Sequence, residues 1–215
     1  MRGNEVGQRV FLEKIGAPPG AHLLPVVGGK RAVVRMVKRP GRIEADALIL
    51  KHRQFRLTML PGDCPPIVLV DGGASMIALL HGSRDALGRR VIQKTLRLWR
   101  EKGANLDQTQ AFVGPGIGAC CYQFPPSPGR RAWLRLWPKE YIIELPSLFG
   151  GNYWAIDLRS FIEEHLWREG IRTTFSSRTC TCCFQEEGEF AFPSHQRGKM
   201  LGGPESRFLA AVWLK

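Results

Sequence analysis

The chain has 215 residues, enough for one substantial core or two small ones, and its 44% hydrophobic and 23% charged composition is that of a globular protein, not a disordered or fibrous one. The formal net charge is +12, and residues 1–56 alone carry twelve Lys or Arg against four acidic side chains. Such a basic face can meet phosphorylated small molecules or nucleic acid, although a solvated surface is the simpler account.

The N-terminal MRGNEVGQRV lacks the apolar run of a secretory leader, and no stretch has the length of a membrane span. Six cysteines occur as Cys64, the adjacent pair Cys120–Cys121, and the cluster Cys180, Cys182 and Cys183. Adjacent cysteines make poor staples, so reduced thiols and a cytoplasmic location are expected.

In chain order, residues 3–16 fit a helix, and LLPVVGGKRAVVRMVK reads as strand material around a Gly28-Gly29 turn. ADALIL and FRLTML are two further strands. PGDCPPIVLVDGGASMIALLHGSRD then places two apolar, β-branched-rich runs about Asp71-Gly72-Gly73, a hairpin signal. Cys64 and His81 are equidistant from the Gly72-Gly73 pair. A two-residue loop would therefore set them directly opposite, with Cβ atoms about 5 Å apart. That separation suits a shared metal ion or a Cys–His catalytic pair, and a buried thiol beside an unrelated histidine is the plain alternative.

Residues 86–102 form an amphipathic helix with Leu87, Val91, Ile92, Leu96 and Trp99 on one stripe. FVGPGIGACCYQF is a strand entering a glycine-punctuated turn, and PPSPGRR is a loop. Tyr153 to Gly170 fits a helix with Asp157 near its start and Gly170 beyond its end, and FLAAVWL a terminal strand. The Cys180 cluster lacks a second ligand pair at zinc-finger spacing, which argues against a dedicated zinc site there. Without strict βαβ alternation, the element order favours an α+β sandwich in one domain, residues 1–215.

Several segments, taken together, resemble the YfiH-type family of laccase-domain, or multicopper polyphenol oxidase, proteins. EADALIL looks like its DA-hydrophobic strand, PGDCPPIVLVD its ADC-x-P segment, ALLHG the start of its HAGWRG motif, and GPGIGACCYQF its GPxIGxxxYEV segment. AIDLRSF, CTCC, FPSHQR and SRFLAAVWL follow in the family's order. The resemblance implies a layered α/β/β/α-like sandwich with mixed, largely antiparallel sheets, and a zinc-dependent purine-nucleoside enzyme that phosphorolyses adenosine or inosine and deaminates adenosine. It further implies that Cys64 and His81 belong to a Cys-His-His site for zinc, with copper as the alternative. Asp63 and Asp85 then become carboxylates able to orient His81, and Arg84 and Arg197 candidates for phosphate. Ser194, beside Arg197 in the same motif, joins the substrate-binding set.

The departures are specific. The family's QVHG histidine should fall near Val26-Val27-Gly28-Gly29, where none is present, leaving His22, His195 or water to complete the shell. The HAGWRG motif reads His81-Gly82-Ser83-Arg84-Asp85-Ala86, the paired arginines after FS read Gln196-Arg197, and the GR before the last strand reads Ser206-Arg207. The family's first strand has no counterpart, which marks an N-terminally short member. Three readings stay open: a divergent purine-nucleoside enzyme acting on nucleoside and phosphate, a degenerate homologue acting as a binding protein, and a metal-free Cys64–His81 hydrolase or a polyphenol oxidoreductase.

Overall fold

The computed structural model describes residues 22–26, 32–38, 43–124, 137–146, 152–203 and 206–215. The helix expected at 3–16 and the loop at 125–131 lie outside them. Fourteen strands, β1 to β14, are present among the described residues. The first seven are β1 (His22–Pro25), β2 (Val34–Met36), β3 (Ala47–Leu50), β4 (Phe55–Met59), β5 (Pro66–Asp71), β6 (Met76–His81) and β7 (Thr109–Val113). They are followed by β8 (Gln123–Phe124), β9 (Ile142–Pro146), β10 (Asn152–Ile156), β11 (Thr173–Ser176), β12 (Gln185–Glu186), β13 (Glu189–Phe190) and β14 (Ala210–Trp213). The helices are α1 (Arg84–Gly88), α2 (Val91–Glu101), α3 (Leu158–Arg168) and α4 (His195–Leu201).

A six-stranded sheet, β11-β7-β5-β6-β3-β2, forms the middle layer. Its inner pairings are antiparallel, while β11 joins β7 and β2 joins β3 in parallel. Strand periodicity of two splits the buried residues between its faces. Ala47, Ile49, Ile67, Leu69, Ala78 and Leu80 pack against Leu96 and Trp99 of α2 and Phe161 and Ile162 of α3. Leu48, Leu50, Ile77 and Leu79 face Leu57 and Met59 of β4, within the three-stranded sheet β1-β4-β14. The result is the mixed, layered α+β sandwich expected from the sequence, with a small β8-β10-β9 sheet appended.

Three local expectations are corrected. The runs flanking Gly28-Gly29 do not form a hairpin: β1 pairs with β4 and β2 with β3, in different sheets. Residues 153–156 belong to strand β10, paired with β9, so the helix begins only after Asp157, whose carboxylate caps the Ser160 amide at 3.0 Å. The long basic helix is broken at Arg90, which adopts a left-handed backbone at φ +65°, although the stripe from Leu87 to Trp99 is buried as predicted.

The fourth correction concerns the central hairpin. Asp71 pairs with Met76, so the loop holds the four residues from Gly72 to Ser75, and His81 stands opposite Pro66, not Cys64. Asp71 selects this longer turn. Its Oδ1 accepts from Ala74 N at 2.9 Å and its Oδ2 from Asn105 N at 2.7 Å, while Ser75 takes φ +48°. Because the slip in pairing is an even number of residues, side-chain parity is unchanged. Cys64 itself lies in the bend that precedes β5, outside the paired register.

Candidate functional site

Cys64 lies in the bend two residues before β5, and His81 ends β6. Two glycines fix the approach. Gly82 N donates to Pro65 O at 3.0 Å, and a Cβ at Gly82 would sit 2.3 Å from that oxygen. A Cβ at Gly116 would meet Pro65 Cβ at 2.7 Å, so the turn after β7 closes tightly on the same proline. The chain before β14 is tied to the same loop, with Phe208 N donating to Pro61 O at 3.0 Å and Arg207 Nη1 to Leu60 O at 3.3 Å.

The electrostatics tie these groups together. Burial pushes the half-buried Cys64 thiol up to about 12, reinforced by Asp63 and Asp85 and opposed by Arg207 and Arg84. Burial lowers the pKa of His81, the Asp46 carboxylate opposes the drop, and Arg207 adds to it. Arg207 thus acts on both. The Tyr122 hydroxyl, pushed up to about 12 mainly by burial, shares the fields of Arg84, Cys64 and Asp85 and hydrogen-bonds Arg84. At neutral pH the Cys64 thiol is therefore uncharged, the His81 imidazole neutral and the Tyr122 phenol protonated, with Arg207 acting on the first two and Arg84 on Cys64 and Tyr122.

The remaining sequence candidates serve the scaffold. Asp63 accepts from Thr181 Oγ1 and from Gln196 N, both at 2.7 Å, so its carboxylate brackets two loops instead of turning to His81. Asp46 fills the place beside His81: its carbonyl accepts His81 N at 2.7 Å, and it is fully buried. Ser194 is the N-cap of α4, accepting Arg197 N at 3.1 Å. Arg197 donates to the carbonyls of Thr181, Cys182 and Phe192 at 3.0, 2.8 and 2.5 Å and lies over the Phe190 ring. Those bonds occupy the guanidinium that the sequence assigned to phosphate. Arg84 keeps a looser contact with Asp85, at 3.4 Å.

Sequence reasoning missed Arg207, Tyr122 and Asp46. All three lie inside family-like segments, SRFLAAVWL, GPGIGACCYQF and EADALIL, so only their placement near Cys64 and His81 was hidden. His195 packs close by: a Cβ at Gly62 would meet its Cβ at 2.9 Å.

The family model described as multi-copper polyphenol oxidoreductase laccase matches residues 7–215. The chain belongs to that family. It is similar to the purine nucleoside phosphorylases of Streptomyces coelicolor, 27% identical over 79% of this chain and 64% of that one, and of Corynebacterium glutamicum, 25% identical over 79% and 63%. The chain thus spans a little under two thirds of the length of these relatives. Among solved structures it resembles the Bacillus licheniformis hypothetical protein YfiH, with a TM-score of 0.78 and 20% identity over 96% of this chain and 79% of that one. YlmD from Geobacillus stearothermophilus matches with a TM-score of 0.76 and 24% identity over 96% and 78%.

The laccase-family description implies several coppers, and the donors among the described residues do not fit such an array. The chain has five histidines. His165 Nδ1 is engaged by Gln93 at 2.8 Å with its ring on Phe161, and His52 stacks edge-on against Phe55. The buried His81 Nδ1 has no hydrogen-bond partner, and a thiol and an imidazole are donors that zinc prefers. Among the described residues, however, no group of three close metal-ligating side chains includes Cys64 and His81.

Proposed function

We propose that the chain is a divergent purine-nucleoside enzyme whose reaction takes place beside Cys64 and His81. The observation that carries the reading is that Arg207, bonded to the Leu60 carbonyl, and Arg84 both act electrostatically on Cys64, and that Arg84 acts on Tyr122 as well. Its relatives, named purine nucleoside phosphorylases, supply the substrate class.

Phosphorolysis forms a bond from a phosphate oxygen to the anomeric carbon of ribose and breaks the bond to the purine nitrogen, and the departing base must take up a proton. Arg207 and Arg84 suit the phosphate, because guanidinium groups recognise its oxygens in a bidentate manner. The Arg84–Asp85 contact is half-exposed and weak, so an incoming dianion can displace it. Tyr122, still protonated at neutral pH, can donate to the base. Cys64 and His81 would hold a zinc ion when one is bound, and that ion would supply Lewis acidity for purine deamination. The metal-free hydrolase reading is the weaker one, because burial keeps the Cys64 thiol protonated where a nucleophile must be thiolate.

The test is incubation of the purified protein with adenosine, inosine or methylthioadenosine, with and without phosphate and zinc, resolving free base, sugar phosphate and ammonia. Phosphate-dependent release of base is the expected result. No turnover of any of the three under all conditions would leave the chain a binding protein on the family fold.

A further inference from the structure

Outside the candidate site, the sulfurs of Cys120, Cys121, Cys180 and Cys183 all lie within 4.8 Å of one another. We infer that these four thiolates bind one zinc ion in a closed, structural tetrathiolate centre. The inference is independent of the reading of Cys64 and His81.

Topology brings the two pairs together. β7 and β11 are parallel neighbours in register from Gln110–Thr173 to Val113–Ser176, so the loops that follow leave the same end of the sheet side by side. Thr181 N donates to Gly116 O at 3.2 Å, joining one loop to the other. The pairs are 63 residues apart in sequence, measured from Cys120 to Cys183, which is why no zinc-finger spacing announces them.

The geometry is that of ligands, not of a disulfide. Cys120 Sγ and Cys183 Sγ are 3.8 Å apart, where a disulfide needs about 2.05 Å. Tetrahedral thiolates about 2.3 Å from zinc stand roughly 3.8 Å from one another. Gly118 N donates to Cys180 Sγ at 3.2 Å, the kind of backbone bond that orients a metal-bound thiolate. Gly118 also admits the sulfurs, since a Cβ there would lie 3.1 Å from Cys120 Sγ and 3.6 Å from Cys180 Sγ. Cys182 is turned into the core and takes no part. Four soft sulfur donors with no imidazole, carboxylate or open position select a structural zinc in place of a catalytic one. On binding, the four thiols lose their protons to solvent and no electron is transferred.

The centre would rivet the loops behind the candidate site. Ile117 N, three residues before Cys120, donates to Asp63 O at 2.8 Å, and Thr181, next to Cys180, bonds the Asp63 carboxylate.

The experiment is metal analysis of full-length protein purified under reducing conditions, followed by cobalt(II) exchange. At least one zinc per chain retained through dialysis is expected, and in Cys64→Ala, where the candidate site has lost its thiol, the retained ion should show zinc–sulfur distances of about 2.3 Å and no nitrogen shell by X-ray absorption. The cobalt form should show thiolate charge transfer and the visible bands of a tetrahedral site. Cys120→Ser with Cys183→Ser should lose the ion and unfold at lower temperature, while Cys64→Ala should retain it. Wild-type protein without zinc, its cysteines free or disulfide-linked by mass spectrometry, would overturn the inference. So would zinc that survives the double substitution but is lost with Cys64→Ala. Because the cobalt spectrum is read on wild-type protein, poor folding of the variant does not leave the question undecided.

Discussion

At the scale of single residues, the chain separates the groups that hold the site from those that face it. Arg197 illustrates the first kind. Its three carbonyl acceptors are buried or half-buried backbone, and Arg197→Ala should cost roughly 2–4 kcal/mol, seen as a lower urea midpoint at constant slope. Arg197→Lys should recover only part of this, because a single ammonium cannot span the fork. His165 gives a pH dependence. The Gln93 amide donates to its Nδ1, fixing a neutral ring, and burial followed by the Arg168 charge lowers its pKa from the usual 6.5. The unfolded chain therefore takes up this proton more readily than the folded one. Stability should be complete above about pH 7 and decline as pH falls through 6.5 toward the folded value. In His165→Gln the curve should be flatter over that window. Cys64 and His81 were legible as candidates because of their motif positions. The engagement of Asp63, Ser194 and Arg197 by backbone groups was not, since a hydrogen bond from a side chain to a distant loop leaves no trace in local sequence.

At the scale of elements, the central hairpin shows what pattern reading can and cannot supply. Alternation and the Gly-Gly pair located both strands, but loop length depended on Asp71 reaching Ala74 and Asn105, a choice between turn types that the pair alone does not decide. The same limit explains β10, whose Tyr-Trp-Ala-Ile run becomes a strand because β9 is there to pair with it. The two ends of the hairpin should respond differently to the same substitution. Gly82→Ala must displace the Pro65 carbonyl and should cost roughly 1–3 kcal/mol and most of the activity. Gly72→Ala, with nothing within 4 Å, should change stability by no more than about 0.5 kcal/mol. Thermal melts of the two proteins, with nucleoside turnover, check both expectations.

At the scale of the whole molecule, the layered sandwich was readable from the order of strands and helices, whereas the convergence of distant loops was not. Parallel pairing of β7 with β11 gathers the cysteines, and the return of β14 beside β4 carries Arg207 to Cys64. Both depend on long-range strand pairing that a linear motif search does not encode. Among the described residues no helix is long and apolar enough to cross a membrane. The purine-nucleoside chemistry proposed for this chain is placed beside Cys64 and His81. The most direct measurement is the rate at which wild-type protein and Cys64→Ala form sugar phosphate from inosine and phosphate, with folding of both followed by circular dichroism. The account predicts measurable turnover by the wild type and a loss of at least about 100-fold in a folded Cys64→Ala protein, the scale expected when a central catalytic group is removed. Equal rates in the two proteins would contradict it.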